Sequence, residues 1–363
     1  MSEIDSRSGS LEGAPWPACD IFNTTFSLYR ASPLFVGPDG LSESRLRVLE
    51  AQLLDILTGE SVRGVDFGLH EDGDSSMGSA GILETITIEW ASADRFVATS
   101  RPALQAILQY ENAQCMAILL PTPEVSGTTK GATADPGDTF LSLPILLFRM
   151  PASLKVTMAR FLSSAFDSRI TPLHLSSSDI VRSWESWAYA TALPTNGPLA
   201  RDVVLTLAFN LLELRDVADP REHRIPTYAA RPASPKTSTA VTAASSQVGD
   251  PMNIGLRTVD VSIPNRDLGE FLKAGQQLES DDNKRGTPFI TALAYYFKGH
   301  LGLDLSNSAV EVVRVACGGF VLSINRIKIF DFPESVSSAA LYKHRSVIPR
   351  ILGDFAMRSP ASA

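Results

Sequence analysis

Ile21 to Tyr29 alternates, with Phe22, Thr24, Phe26 and Leu28 on one side and Asn23, Thr25, Ser27 and Tyr29 on the other, as a strand requires. Two prolines and two glycines between Arg30 and Gly40 stop it. Leu46, Leu49, Leu53, Ile56 and Leu57 then recur at helical spacing between a capping Ser42 and Gly59. Val62–Leu69 and Ile82–Trp90 predict two strands of a hairpin across a loop of small and acidic residues, with Ile82, Ile86, Ile88 and Trp90 sharing a face. Cys115–Leu120 and Phe140–Phe148 predict two more strands, separated by the Pro-, Gly- and Thr-rich stretch Pro121–Asp138.

The period changes at Pro151. Leu154, Phe161, Leu162 and Phe166 predict a helix over Pro151–Phe166, and a second helix over Ser178–Tyr189 carries Trp184 and Trp187. Val203–Leu212 reads as a strand, with a helix as the alternative for so continuous an apolar run. Beyond it the pattern predicts a strand over Leu256–Ile263 and a short helix over Asn265–Ala274. A helix to about His300 follows, opened by Thr287 and Pro288, with Phe289, Leu293, Tyr296 and Phe297 on its apolar side. Ala309–Ala316 and Phe320–Phe330 predict a hairpin turning at Cys317-Gly318-Gly319, and Ser337–Met357 a closing helix interrupted near Pro349.

Composition divides the chain further. Residues 1–18 are rich in Ser, Gly and Pro and read as a disordered tail, with an N-terminal α+β region over 19–227. Ala, Ser, Thr and Pro dominate Tyr228–Asp250, so 228–252 reads as a disordered linker or insertion before a C-terminal α+β region over 253–363. The 363 residues, 44% of them hydrophobic, suffice for a large core. No apolar run is long enough to span a membrane and the start is polar and acidic, so the expectation is a soluble chain that is not secreted. Net charge is −8, which speaks against a protein given over to phosphate binding. The imbalance is uneven: from Pro251 onward there are 13 basic and 11 acidic residues, so any nucleic-acid contact belongs in that part.

Candidate chemistry is sparse. Cys19, Cys115 and Cys317 lie far apart, which predicts neither a disulfide framework nor a zinc site. Gly78–Gly81 lacks the spacing of a nucleophile elbow, and Gly127–Gly131 lacks the order of a phosphate-binding loop. His70, His174, His223, His300 and His344 are scattered rather than paired on one helix face. Asp281 and Asp282 beside Lys284 and Arg285 read as a solvated cluster, and the two tryptophans as core. The expectation is a protein with no enzymatic activity, no cofactor and no metal.

Three segments in order carry a resemblance. They are Phe22–Phe35, with Leu28-Tyr29 and Pro33-Leu34-Phe35; Phe161–Leu173, with Phe166-Asp167 and Thr171-Pro172-Leu173 ahead of the tryptophan helix; and Tyr296–Val315, with His300, Leu303–Ser306 and Val312–Val315. Together they resemble the centromere protein L (CENP-L) family over about residues 20–330, most closely its filamentous-fungal members. The resemblance implies an α+β fold in which helices pack on a large curved, mainly antiparallel sheet. It further implies a nuclear scaffold subunit of the inner kinetochore, in the constitutive centromere-associated network. In that setting the chain pairs with a CENP-N family protein as a heterodimer, meets other inner-kinetochore subunits, and helps hold the kinetochore on centromeric nucleosomes or DNA for chromosome segregation.

Two contact surfaces follow as expectations. If a strand of the terminal hairpin ends at a sheet edge, its free N–H and C=O groups accept a partner strand, with Val310, Val312, Arg314, Phe320, Leu322 and Ile324 as the contact residues. The alternative is a DNA-binding face made by Lys284, Arg285, Arg326, Lys328, Lys343 and Arg345.

Overall fold

A strand near the start of the chain lies in the middle of the sheet. In the computed structural model, which describes residues 21–62, 81–92, 101–122, 139–209, 257–282, 287–332 and 339–357, β1 (Thr25–Ala31) runs between a strand from the middle of the sequence and one from its end. On one side is β7 (Ile145–Arg149); on the other, β13 (Arg326–Ile329) is followed along the same edge by β8 (Ile170–Pro172). From β7 the sheet continues through β5 (Gln114–Leu120) and β4 (Ala103–Tyr110) to β3 (Leu83–Ala91). From β13 it continues through β12 (Phe320–Ser323), β11 (Val310–Ala316) and β9 (Val203–Phe209) to β10 (Thr258–Ile263). The eleven strands pair antiparallel throughout, and β2 (Leu34–Phe35) with β6 (Phe140–Leu141) forms a separate two-stranded ladder. The fold is α+β, as the resemblance implies, and one sheet takes strands from both ends of the sequence.

The β5 and β7 segments are unbroken apolar runs because both their faces are covered. Alternate residues enter two different cores: Ile118, Leu147 and Leu28 one, Leu119, Leu146 and Phe148 the other. The second core is closed by α1 (Glu43–Val62) and α2 (Ala152–Ala165). The first spans the whole sheet and is closed by α3 (Ser177–Thr191), α4 (Asn265–Asp282), α5 (Pro288–Leu301) and α6 (Ala339–Met357).

Several local expectations need correction. Val62 ends α1 instead of opening a strand, and the rest of that expected strand, 63–69, lies outside the described residues, as do the tail expected over 1–18, residues 123–138 of the Pro-, Gly- and Thr-rich stretch, and the linker expected over 228–252. The hairpin partner of β3 is β4, a segment whose polar Gln105 and Gln109 hide its strand character. Ile82 and Ile56 are exposed rather than core, and so is Tyr296. Pro144 divides the strand expected over Phe140–Phe148, the short turn Ile324-Asn325 divides Phe320–Phe330, and α6 passes through Pro349 without a break.

The opening of α5 shows how tertiary structure replaces a local cap. Thr287 takes the N-cap position but its side chain makes no capping bond. The Glu185 carboxylate of α3, 5% exposed, accepts the Phe289 N–H at 2.7 Å instead, which satisfies an orphan donor and sets negative charge at the positive end of the helix. Trp184, one residue earlier, packs on the Phe289 ring at 4.2 Å, so α3 anchors α5 by both contacts. Helix α3 is itself opened by a capping box between Ser176 and Asp179.

Close approach also limits side-chain size. A Cβ on Gly275 of α4 would stand 1.8 Å from the Pro288 carbonyl oxygen, so the two helices can cross here only over glycine. We expect Gly275→Ala to lower the unfolding free energy by about 3 kcal/mol or more through overpacking, read as a lower denaturation midpoint at constant m value. Glu185→Ala should cost about 1 to 3 kcal/mol, with Glu185→Gln losing less, because the amide oxygen still accepts the Phe289 bond.

Candidate interaction surfaces

The hairpin expected to offer a sheet edge lies inside the sheet. β11 is paired with β9 and β12, and β12 with β11 and β13, so neither has a free row of backbone groups. Val312, Phe320 and Leu322 are buried, in the core that α3 and α6 cover. Val310 is half-buried, and only Arg314 and Ile324 of the six reach solvent. The reading failed because it counted β-rich strands late in the chain without knowing that β9 and β10 would pair outside them. Gly318 and Gly319, read as turn residues, are held by contact as well: a Cβ would fall 2.2 Å from the Leu199 carbonyl oxygen or 2.5 Å from Trp187 Nε1.

The sheet ends at β3 and at β10. Along β3 the Ile88 N–H is taken by the Glu50 carboxylate of α1 at 2.6 Å, and α1 lies against the strand, which blunts that edge. The β10 edge differs. Phe209 N–H donates to the Arg257 carbonyl, and with the register Val259↔Leu207 and Val261↔Leu205 this fixes the hydrogen-bonded pairs of the ladder. By alternation Thr258, Asp260 and Ser262 point their N–H and C=O groups away from β9, and among the described residues no strand pairs with them. Their side chains are exposed and polar, and Thr206 Oγ1 donates to Asp260 Oδ1 at 2.5 Å.

A second surface is the outer face of the β10-to-β1 part of the sheet. There the residues that alternate with the core set run across adjacent strands: Asp260, Thr206, Arg314 and Ser323, then Arg326 and Ser27. The neighbouring row is Ser262, Val204, Ala316, Val321, Lys328 and Thr25. All are half-buried or exposed. Lys155 of α2 reaches this face and donates to Ser27 Oγ at 2.9 Å, and Lys328 sits 5.6 Å from the centre of the Phe330 ring. Arg314 and Arg326 have no acidic partner among the described residues.

The basic residues expected to make one face are thus divided. Arg326 and Lys328 share the outer face with Arg314 and Lys155. Lys343 and Arg345 belong to α6, which packs on the other side of the sheet, and Arg345 is held by Asp331 at 2.9 Å. Lys284 and Arg285 lie outside the described residues. Arg314 escaped notice as part of this face because only strand register brings it there, and Lys155 because only the packing of α2 brings it to β1.

The titratable interior is structural. His344 is fully buried, with Nδ1 accepting from Trp187 Nε1 at 2.9 Å and Nε2 donating to the Phe330 carbonyl at 2.8 Å. Those partners fix a neutral ring, and burial holds its pKa below the ordinary value, offset in part by the Phe330 bond. Burial pushes the thiols of Cys115 and Cys317 up to about 12, which leaves both unreactive at neutral pH. Among the described residues no group of three or more His, Cys, Asp or Glu could hold a metal ion, and no helix is long and apolar enough to cross a membrane.

Among the described residues of this α+β fold, then, an unpaired strand edge lies beside a sheet face that carries Lys155, Arg314, Arg326 and Lys328. The family model for CENP-L, centromere protein L, matches residues 20–359, and the chain belongs to that family, a structural protein family of the centromere and kinetochore in the nucleus that serves chromosome segregation. No curated protein matches the chain in sequence.

Because the unfolded histidine takes up a proton near pH 6.5 and the folded one only lower, acid favours unfolding through His344. Stability should fall as pH drops below about 6.5, and the slope between pH 6.5 and 5 should flatten in His344→Gln, measured by chemical denaturation followed through tryptophan fluorescence.

Proposed function

We propose that this chain is a non-enzymatic scaffold subunit of the constitutive centromere-associated network that pairs with a CENP-N family protein, and that β10 receives a strand of that partner. The observation that carries the reading is the outward row of Thr258, Asp260 and Ser262 at the terminus of the sheet. A partner strand laid there satisfies free N–H and C=O groups and continues the antiparallel ladder, with the half-buried Val259 and Val261 packing against its own alternate residues. Membership of the family supports the partner's identity, and the other inner-kinetochore subunits are then met through the pair.

Ser262→Pro removes one outward N–H without touching the bonds to β9, so it should leave the fold intact. We expect it to weaken the one-to-one complex at least tenfold, with the wild-type complex holding at high salt, measured by sedimentation of the mixed proteins. Unchanged affinity would reject β10 as the edge, and the absence of any wild-type complex would reject the pairing.

A second reading has its own observation, the gathering of Lys155, Arg314, Arg326 and Lys328 on one sheet face. That face contacts the DNA phosphates of the centromeric nucleosome, assisted by the pair's other subunit. Arg314→Glu together with Arg326→Glu should weaken binding to a short duplex more than tenfold at low salt. The same change should reduce the slope of log affinity against log salt by about 2, since each phosphate contact contributes about 0.9. An unchanged slope would remove DNA from the account.

A further inference from the structure

The outward row of β10 holds a single charge. Thr258 and Ser262 present hydroxyls, and Asp260 stands between them, exposed like both neighbours. Toward β9, Asp260 faces Thr206 in a non-hydrogen-bonded pair, the closer of the two antiparallel spacings, which lets Thr206 Oγ1 reach Oδ1 at 2.5 Å. That bond holds the carboxylate in place. Its other oxygen, Oδ2, has no hydrogen bond or ion pair among the described residues. Along the same cross-strand row the first basic residue is Arg314, two strands away, or about 10 Å at the usual strand spacing. The negative charge at the end of the sheet is therefore uncompensated within its row.

We propose that the strand received at β10 carries a lysine or arginine directly opposite Asp260, between two apolar residues. This rests on the pairing through β10 proposed above and adds the sequence that the edge selects. On its outward side Asp260 occupies a hydrogen-bonded position, where it exchanges both backbone bonds with one partner residue at a Cα separation of about 5.5 Å. The side chain of that residue falls on the same outer face as Asp260, within reach of Oδ2. A cation there gains an opposite charge, and an acidic residue meets repulsion. The residues on either side of the cation fall on the core face, against half-buried Val259 and Val261, and are apolar for that reason. Asp260 also fixes the register. A slip of one residue carries the cation to the core face, and a slip of two sets it opposite Thr258 or Ser262, where no charge answers it.

The test uses the full chain with the purified CENP-N family protein. Thr258→p-benzoylphenylalanine, photo-linked to that protein and mapped by mass spectrometry, should mark a segment containing an apolar-cation-apolar triplet. Affinities are then read by sedimentation at low and high salt. Asp260→Asn keeps an oxygen for Thr206 and loses the charge, so it should weaken the complex about threefold at low salt and leave it unchanged at about 1 M, where charges are screened within a few ångströms. Asp260→Lys should weaken it about tenfold or more, and changing the cation of the mapped triplet to aspartate should restore that variant to within about threefold of wild type. Ser262→Pro, which removes a backbone donor, should weaken the complex at both salts. If Ser262→Pro acts and the two Asp260 variants do not, the edge stands and the inference falls, with the carboxylate serving only to keep stray strands away. A linked segment without the triplet, no link, or no restoration by the charge exchange would also overturn it. An inert Ser262→Pro removes the pairing through β10 and the inference with it.

Discussion

Everything in this protein depends on β1 holding the sheet together. Its Phe26 and Ser27 pair with Ile327 and Arg326 from about 300 positions later, while Leu28 and Tyr29 pair with Leu147 and Leu146. Both halves of the sheet hang from that one strand. Its side chains do the same for the interior, with fully buried Phe26 and Leu28 in one core and Ala31 in the other. Such long-range pairing is entropically expensive to form and stabilises only when the whole sheet is in place, so the two sequence regions fold as one cooperative body.

The helices then decide which parts of the sheet are left for other molecules. On the β3 side both faces are covered and the edge is held by Glu50. On the β10 side α3 to α6 cover one face, and among the described residues no helix closes the other face and no strand pairs with the edge. The buried Trp187–His344 bond fastens α3 to α6 beneath that open face, and Glu185 fastens α3 to α5. Rigid backing of this kind is what a contact surface needs, because a partner then meets a strand edge and a charged row already in place. Buried thiols and a neutral histidine contribute packing rather than reactivity.

Much of this was legible in the residues. Alternation found β1, unbroken apolar runs found β5 and β7, helical spacing found α1, α2, α3 and α5, and the motif residues of the family resemblance have structural roles. Thr171-Pro172 lies in β8 against β1, and Asp304 accepts from Ser306 and Lys298 in the turn before β11. What stayed hidden was pairing order. Nothing local in Val310–Ser323 tells that β9 and β10 flank it, so buried Val312, Phe320 and Leu322 passed for an interface. Likewise β4 carries glutamines where a strand pattern wants apolar residues, and Gln105 is 3% exposed with its amide donating to Glu89. Only the assembled sheet shows that Arg314 and Arg326 are neighbours.

The central claim is that the sheet continues into a partner through β10, and hydrogen–deuterium exchange tests it most directly. Amides of Thr258, Asp260 and Ser262 should exchange fast in the free chain and slow by at least an order of magnitude on addition of the CENP-N family protein, while those of Val259 and Val261, already bonded to β9, change little. Protection that appears elsewhere, with these three amides unaffected, would contradict the account.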